Sequence, residues 1–131
     1  MYHPIKIGIS GAVSMKEKKL IYYQTENGKE PFLDWFESFK DKVIQARIDT
    51  RLDRVIDGNY GDHKAVGSGV FELRYHFGAG YRVYFAEDGD TLVLLLTGGD
   101  KDSQSKDIDL AKAYLQDYLD KKTDSKKEDT L

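Results

Sequence analysis

Between Gly69 and Phe85 apolar and polar positions alternate along the chain. Phe71, Leu73, Tyr75, Phe77, Tyr81, Val83 and Phe85 share one parity; Glu72, Arg74, His76, Arg82 and Tyr84 share the other. A strand has period two, so each set lies on one sheet face. The pattern predicts a β-hairpin with one core face and one face carrying two arginines, a histidine, a carboxylate and a phenol. A three-residue turn, Gly78-Ala79-Gly80, keeps the parities apart and pairs Phe77 with Tyr81, His76 with Arg82, and Arg74 with Tyr84. A two-residue turn would mix the faces. Cationic donors beside an imidazole suit a phosphate. The bland reading of that face is a solvated sheet surface on which Glu72 neutralises an arginine.

The flanking patterns supply the other elements. Leu20 to Thr25 is aromatic and β-branched, hence a strand, and Asn27-Gly28 is a turn signal. Pro31 suits the first turn of a helix, with Glu30 beside its N-terminal dipole and Phe32, Leu33, Trp35, Phe36 and Phe39 as an apolar face. A second helix is predicted from about Asp41 to Asp57, with Ile44, Ile48, Leu52, Val55 and Ile56 on the helical period and a stop at Gly58-Asn59. Residues 58–69 read as a glycine-rich loop, and Glu87 to Asp90 as a tight turn. Thr91 to Thr97 is apolar on both parities, which predicts a central strand. A loop over 98–105 leads to a last helix, about Lys106 to Lys121, with Ile108, Ala111, Leu115 and Leu119 aligned. The order is strand, helix, helix, strand, strand, strand, helix. The expected fold is α+β: a small, antiparallel-rich meander sheet packed by an N-terminal helical hairpin, with a C-terminal helix. Residues 1–18 lack a period and are expected to be a flexible leader, with Met15 as an alternative start. Residues 122–131 are expected to be a charged, flexible tail.

Composition narrows the chemistry. With 40% hydrophobic and 33% charged residues, the 131-residue chain fits one soluble globular domain. It has no cysteine, which excludes a disulfide scaffold, thiol chemistry and cysteine-ligated zinc and fits the cytoplasm. The longest apolar run, Leu92 to Leu96, is too short to span a bilayer, and the first residues lack a secretory pattern. Residues 20–119 hold 12 basic and 18 acidic side chains, so no basic footprint marks the chain in bulk. Any nucleic-acid contact has to come from a local patch or through a partner.

Other features read as structural. Arg47, Arg51 and Arg54 share a face of the second helix; a solvated face paired with Asp49, Asp53 and Asp57 is favoured over an RNA or protein contact. His3, His63 and His76 have no metal-ligand spacing. Trp35 reads as core rather than as a base-stacking platform. Gly98-Gly99 is expected to free the backbone to leave the last strand, and Asp107 to act as an N-terminal charge or cap on the last helix.

Four segments, in order, carry a resemblance: Pro31-Phe-Leu-Asp-Trp-Phe36, Gly69-Val-Phe-Glu-Leu-Arg74, Gly80-Tyr-Arg-Val-Tyr-Phe85, and Gly98-Gly-Asp-Lys-Asp-Ser-Gln104 with Lys106-Asp-Ile108. Over about residues 19–119 the chain resembles the RelE/ParE toxin superfamily, most closely the phage-derived or addiction-module killer branch related to HigB, which implies a toxin domain over 19–121. The resemblance implies a cytoplasmic toxin of a type II toxin–antitoxin pair that cuts mRNA on the translating ribosome, an endoribonuclease needing no metal or organic cofactor. Its implied partners are the ribosome, mRNA and a separate antitoxin, commonly with a helix-turn-helix domain, through which alone DNA is met. Arg82 matches the arginine of the Gly-Tyr-Arg element and Arg74 is the second phosphate candidate. Lys101 stands where relatives place a basic residue, and His76 is the proton-transfer candidate by its chemistry. Tyr84, Gln104 and Lys106 are candidates for positioning RNA. RelE relatives have a functional tyrosine where this chain has Asp107, and lysines where it has Val70 and Glu72. Two other readings therefore stand beside the first: a ParE-type gyrase inhibitor without enzymatic activity, and a degenerate toxin that only binds its antitoxin.

Overall fold

The computed structural model describes residues 17–129, so nearly all of the expected leader lies outside the described residues. Among them, β1 spans Lys19–Tyr22, α1 Pro31–Glu37, α2 Lys42–Ile56, β2 His63–Gly67, β3 Val70–Arg74, β4 Arg82–Asp88, β5 Leu92–Gly99 and α3 Gln104–Asp129. A 3-10 turn over Lys101–Ser103 precedes α3. The strands form one sheet in the order β1-β5-β4-β3-β2. The α1–α2 segment carries the chain from β1 to β2 at the opposite edge; strands β2 to β5 then return as an antiparallel meander, so that β5 pairs parallel to β1. The α+β class and the antiparallel-rich sheet are as predicted.

Both sheet faces are covered. Leu73, Val83, Phe85, Val93 and Leu95 form one core with Phe32 and Phe36 of α1 and Ile48, Leu52 and Val55 of α2. Val70, Tyr84, Ala86, Leu94 and Leu96 form a second with Ala111 and Leu115 of α3. The face expected to be solvated is therefore buried, because α3 lies across it. This explains why β5 is apolar on both parities: Val93 and Leu95 face one core, Leu94 and Leu96 the other.

Local chemistry sets the element ends. Pro31 opens α1, and Asp41 caps α2 by accepting from the Val43 N–H at 2.8 Å. Gly58, at φ 85°, ends α2 in the left-handed region. Gln45 Nε2 on α2 donates to the carbonyls of Phe36 (3.0 Å) and Phe39 (3.2 Å), tying the end of α1 to α2.

Three expectations are corrected. Residues 58–69 are not all loop: β2 pairs with β3 as an edge strand held by backbone bonds, and its exposed His63, Lys64 and Ala65 have no alternation to read. The last helix does not stop near Lys121. No Gly or Pro interrupts it, and Lys122 Nζ reaches Asp88 at 2.7 and 2.8 Å, while Tyr118 donates to the same carboxylate at 2.6 Å. Gly98 and Gly99 do not leave the sheet but pair within it, opposite Val83 and Arg82. Among the described residues no helix is long and apolar enough to cross a membrane.

Candidate functional site

The β3–β4 connection builds the site, and its register differs from the one predicted. Arg74 faces Arg82 and Glu72 faces Tyr84, two residues off the expected pairing. A shift of two preserves every face, which is why the predicted core set holds. It lengthens the connection to residues 75–81 and moves His76 off the sheet. The loop is closed by Tyr75 N to Tyr81 O and Gly80 N to Phe77 O, both 3.0 Å, and by edge contacts among Tyr75, Phe77 and Tyr81. Lys101 reaches it from the 3-10 turn, where Asp100 and Ser103 form a capping box and the Lys101 N–H donates to Ala79 O at 3.4 Å.

Together these segments line an open cleft of about 600 Å³, with Arg74, His76, Arg82 and Lys101 in its wall alongside Asp102. All four residues proposed for chemistry thus meet in one place. Arg82 is the most buried of them, with its guanidinium Nη1 donating to Gly80 O (3.1 Å) and Tyr81 O (3.2 Å).

Beneath the arginines lies a carboxylate. Glu72 is fully buried, with Oε1 3.8 Å from Arg74 Nε and 3.7 Å from Arg82 Nε, and Oε2 accepting from Gln104 Nε2 at 2.9 Å. The parity pattern places Glu72 with the arginines, but as a surface partner; its burial follows from α3, which supplies Gln104 as a lid. A buried acid within 4 Å of two cations offsets both charges by ion pairing, without a hydrogen bond to either guanidinium.

The RNA-positioning candidates fall elsewhere. Tyr84 is fully buried under α3, so it does not present an outward phenol. Burial, with the Glu72 carboxylate beside it, pushes that phenol up, and it stays neutral. Gln104 faces inward to Glu72, and Lys106 lies exposed on α3 outside the cleft lining. Asp107 stands in the first turn of α3, as expected, and accepts from Ser103 Oγ.

Two further residues emerge from the geometry. His76 Nε2 is hydrogen-bonded to Asp62 Oδ2, a carboxylate from the segment read as loop. The bond from His76, aided by the nearby Arg74 and Arg51 charges, holds the Asp62 carboxyl below its usual range. A carboxyl with a lowered pKa contributes its stability above the ordinary range and loses it only as pH falls through the lowered value. Arg51 is the second. Far from lying on a solvated face, its guanidinium donates to the carbonyls of Arg74, Asp62 and Tyr60 (the last at 3.0 Å) and stacks 5.0 Å over Tyr75. Carbonyl partners leave no trace in a charge pattern. Arg51→Ala is expected to cost about 1.5–3 kcal/mol, the range for hydrogen bonds to a charged group. It should also speed amide exchange at residues 74–77, and hydrogen exchange checks both.

The profile of phage-derived Gp49-like proteins matches residues 34–128. An uncharacterised protein of Haemophilus influenzae is 45% identical over 86 residues, which is 66% of this chain and 87% of that relative.

Proposed function

Because the chain belongs to the phage-derived Gp49-like family, which is associated with toxin–antitoxin systems and related to RelE-like toxins, we propose that it is a cytoplasmic type II toxin that cuts mRNA on the ribosome without a metal. The observation that carries this reading is the meeting of Arg74, Arg82, Lys101 and a carboxylate-backed His76 in one cleft.

Metal-free RNA cleavage uses the 2′-OH as nucleophile. The 2′-oxygen–phosphorus bond forms, the bond to the 5′ oxygen breaks, and negative charge grows on the phosphoryl oxygens. Arg74 and Arg82 supply fixed cationic donors for that charge, and Lys101 neutralises the leaving oxygen. Asp62 holds Nε2 of His76, which leaves the other ring nitrogen to take the 2′-OH proton. A separate antitoxin is the partner, and covering this cleft is the simplest way for it to block the activity.

The test is translation of a defined mRNA with purified protein, followed by primer extension. Ribosome-dependent cuts are expected. His76→Ala should slow them by about 10²- to 10⁴-fold, the usual worth of a positioned general acid or base. As the His76 side chain is 67% exposed and its bond to Asp62 is a surface pair, the same variant should cost at most about 1 kcal/mol in urea unfolding. Intact mRNA under active translation would discard the reading, and gyrase supercoiling would be assayed in its place.

A further inference from the structure

A second cleft, of about 350 Å³, lies on the other side of the Tyr75–Phe77 segment. Arg47, Arg51 and Arg54 of α2 line it together with Arg74, His76 and Phe77, and no carboxylate does. For a chain of net charge −3 this is a concentrated positive lining. Arg51 spends its donors on loop carbonyls and contributes mainly charge. Arg47 lies 4.3 Å over the Phe77 ring, which fixes its guanidinium, and Arg54 is exposed. Arg74 and His76 line both clefts, so the Tyr75–Phe77 segment is a ridge between two cationic hollows.

We infer that the second cleft is a subsite for a neighbouring phosphate of the same RNA strand, so that a single-stranded ribonucleotide chain straddles the ridge with one phosphate on each side. This rests on the RNA-cleaving reading of the first cleft. An exposed arginine beside a stacked one suits a backbone phosphate, and the exposed Arg47 guanidinium, backed by the Phe77 ring, offers a flat cationic surface to the adjoining base. Recognition of this kind is set by phosphate spacing and is tolerant of sequence.

The test is an NMR titration of the full chain, observing arginine Nε–H signals. The probes are a 2′-O-methylated trinucleotide with two internucleotide phosphates, which cannot be cut, and a 2′-O-methylated dinucleoside monophosphate with one. The trinucleotide is expected to move Arg47 and Arg54 together with Arg74 and Arg82, and the dinucleotide to move Arg74 and Arg82 alone. Arg47→Gln with Arg54→Gln should weaken the trinucleotide about tenfold and lower its salt slope by about 0.7, the value for one phosphate on a single strand. Dinucleotide binding should be unchanged. Equal affinity and slope in parent and variant, or trinucleotide shifts confined to Arg74 and Arg82, would overturn the subsite while sparing the first cleft. No shift with either probe would overturn both.

Discussion

Glu72→Ala is expected to destabilise the protein by about 3–5 kcal/mol, the cost of removing one partner from a buried ion pair. The Arg82 side chain is only 8% exposed, so without Glu72 its charge is left in the interior with two backbone carbonyls for company. Arg74, with its side chain 35% exposed, has an escape to solvent and adds less. Gln104 loses its acceptor as well, which loosens the start of α3 against the sheet. A fall in melting temperature on the order of 10 °C is the corresponding readout. Glu72→Gln keeps the shape and an acceptor for Gln104 while removing the charge, so it separates packing from electrostatics. It should unfold less readily than the alanine variant, and under the proposed function it should still lose cleavage, because the charge that pairs with the two guanidinium groups would be gone. If Glu72→Ala melts within a degree or two of the parent, the buried carboxylate is not what offsets the arginine charges.

That carboxylate also shows where sequence reasoning reached and where it stopped. Alternation assigned the residues of β3 and β4 to their correct faces, because a face assignment survives a register shift of two. It could not tell one register from the other, and so it placed His76 beside Arg82 instead of in the loop beside Asp62. The polar parity of β3 and β4 looked like a surface because Glu72, Arg74 and Arg82 outweighed Val70 and Ala86. Only the docking of α3, a contact between distant segments, makes it a second core. Strand β2 was missed because an edge strand pairs through its backbone and asks little of its side chains. Lys101 was located by resemblance, and the structure brings it to the cleft through the Ala79 carbonyl, a bond that no side-chain pattern encodes.

The glycine at 98 has a packing reason that makes a second large effect predictable. Gly98 does not have positive φ, so its backbone would accept another residue. A Cβ there would fall 2.2 Å from Trp35 Cε3, 2.4 Å from Cδ2 and 2.6 Å from Cζ3. Trp35 cannot move aside freely: its ring packs on Phe39 at 5.1 Å and lies 5.9 Å from Phe32 and 6.4 Å from Tyr81. Gly98→Ala is therefore expected to cost about 3 kcal/mol, the upper end for overpacking a core, measured by urea unfolding. Tryptophan fluorescence should shift with it, since the chain has one tryptophan. Gly99→Ala supplies the contrast. Its Cβ would fall 1.8 Å from Asp107 Oδ2, 2.7 Å from Asp107 Cγ and 2.9 Å from Ser103 Oγ, closer still, but these are the ends of two short side chains that can turn away at the loss of the bond between them. Its cost should be the smaller, about 1 kcal/mol, the usual net worth of a hydrogen bond. Shortening the tryptophan decides the mechanism: in Trp35→Leu, adding Gly98→Ala should cost clearly less than in the parent, a coupling of about 1–2 kcal/mol for residues in contact. Additive costs would mean that glycine is needed at 98 for some reason other than the indole lying on it.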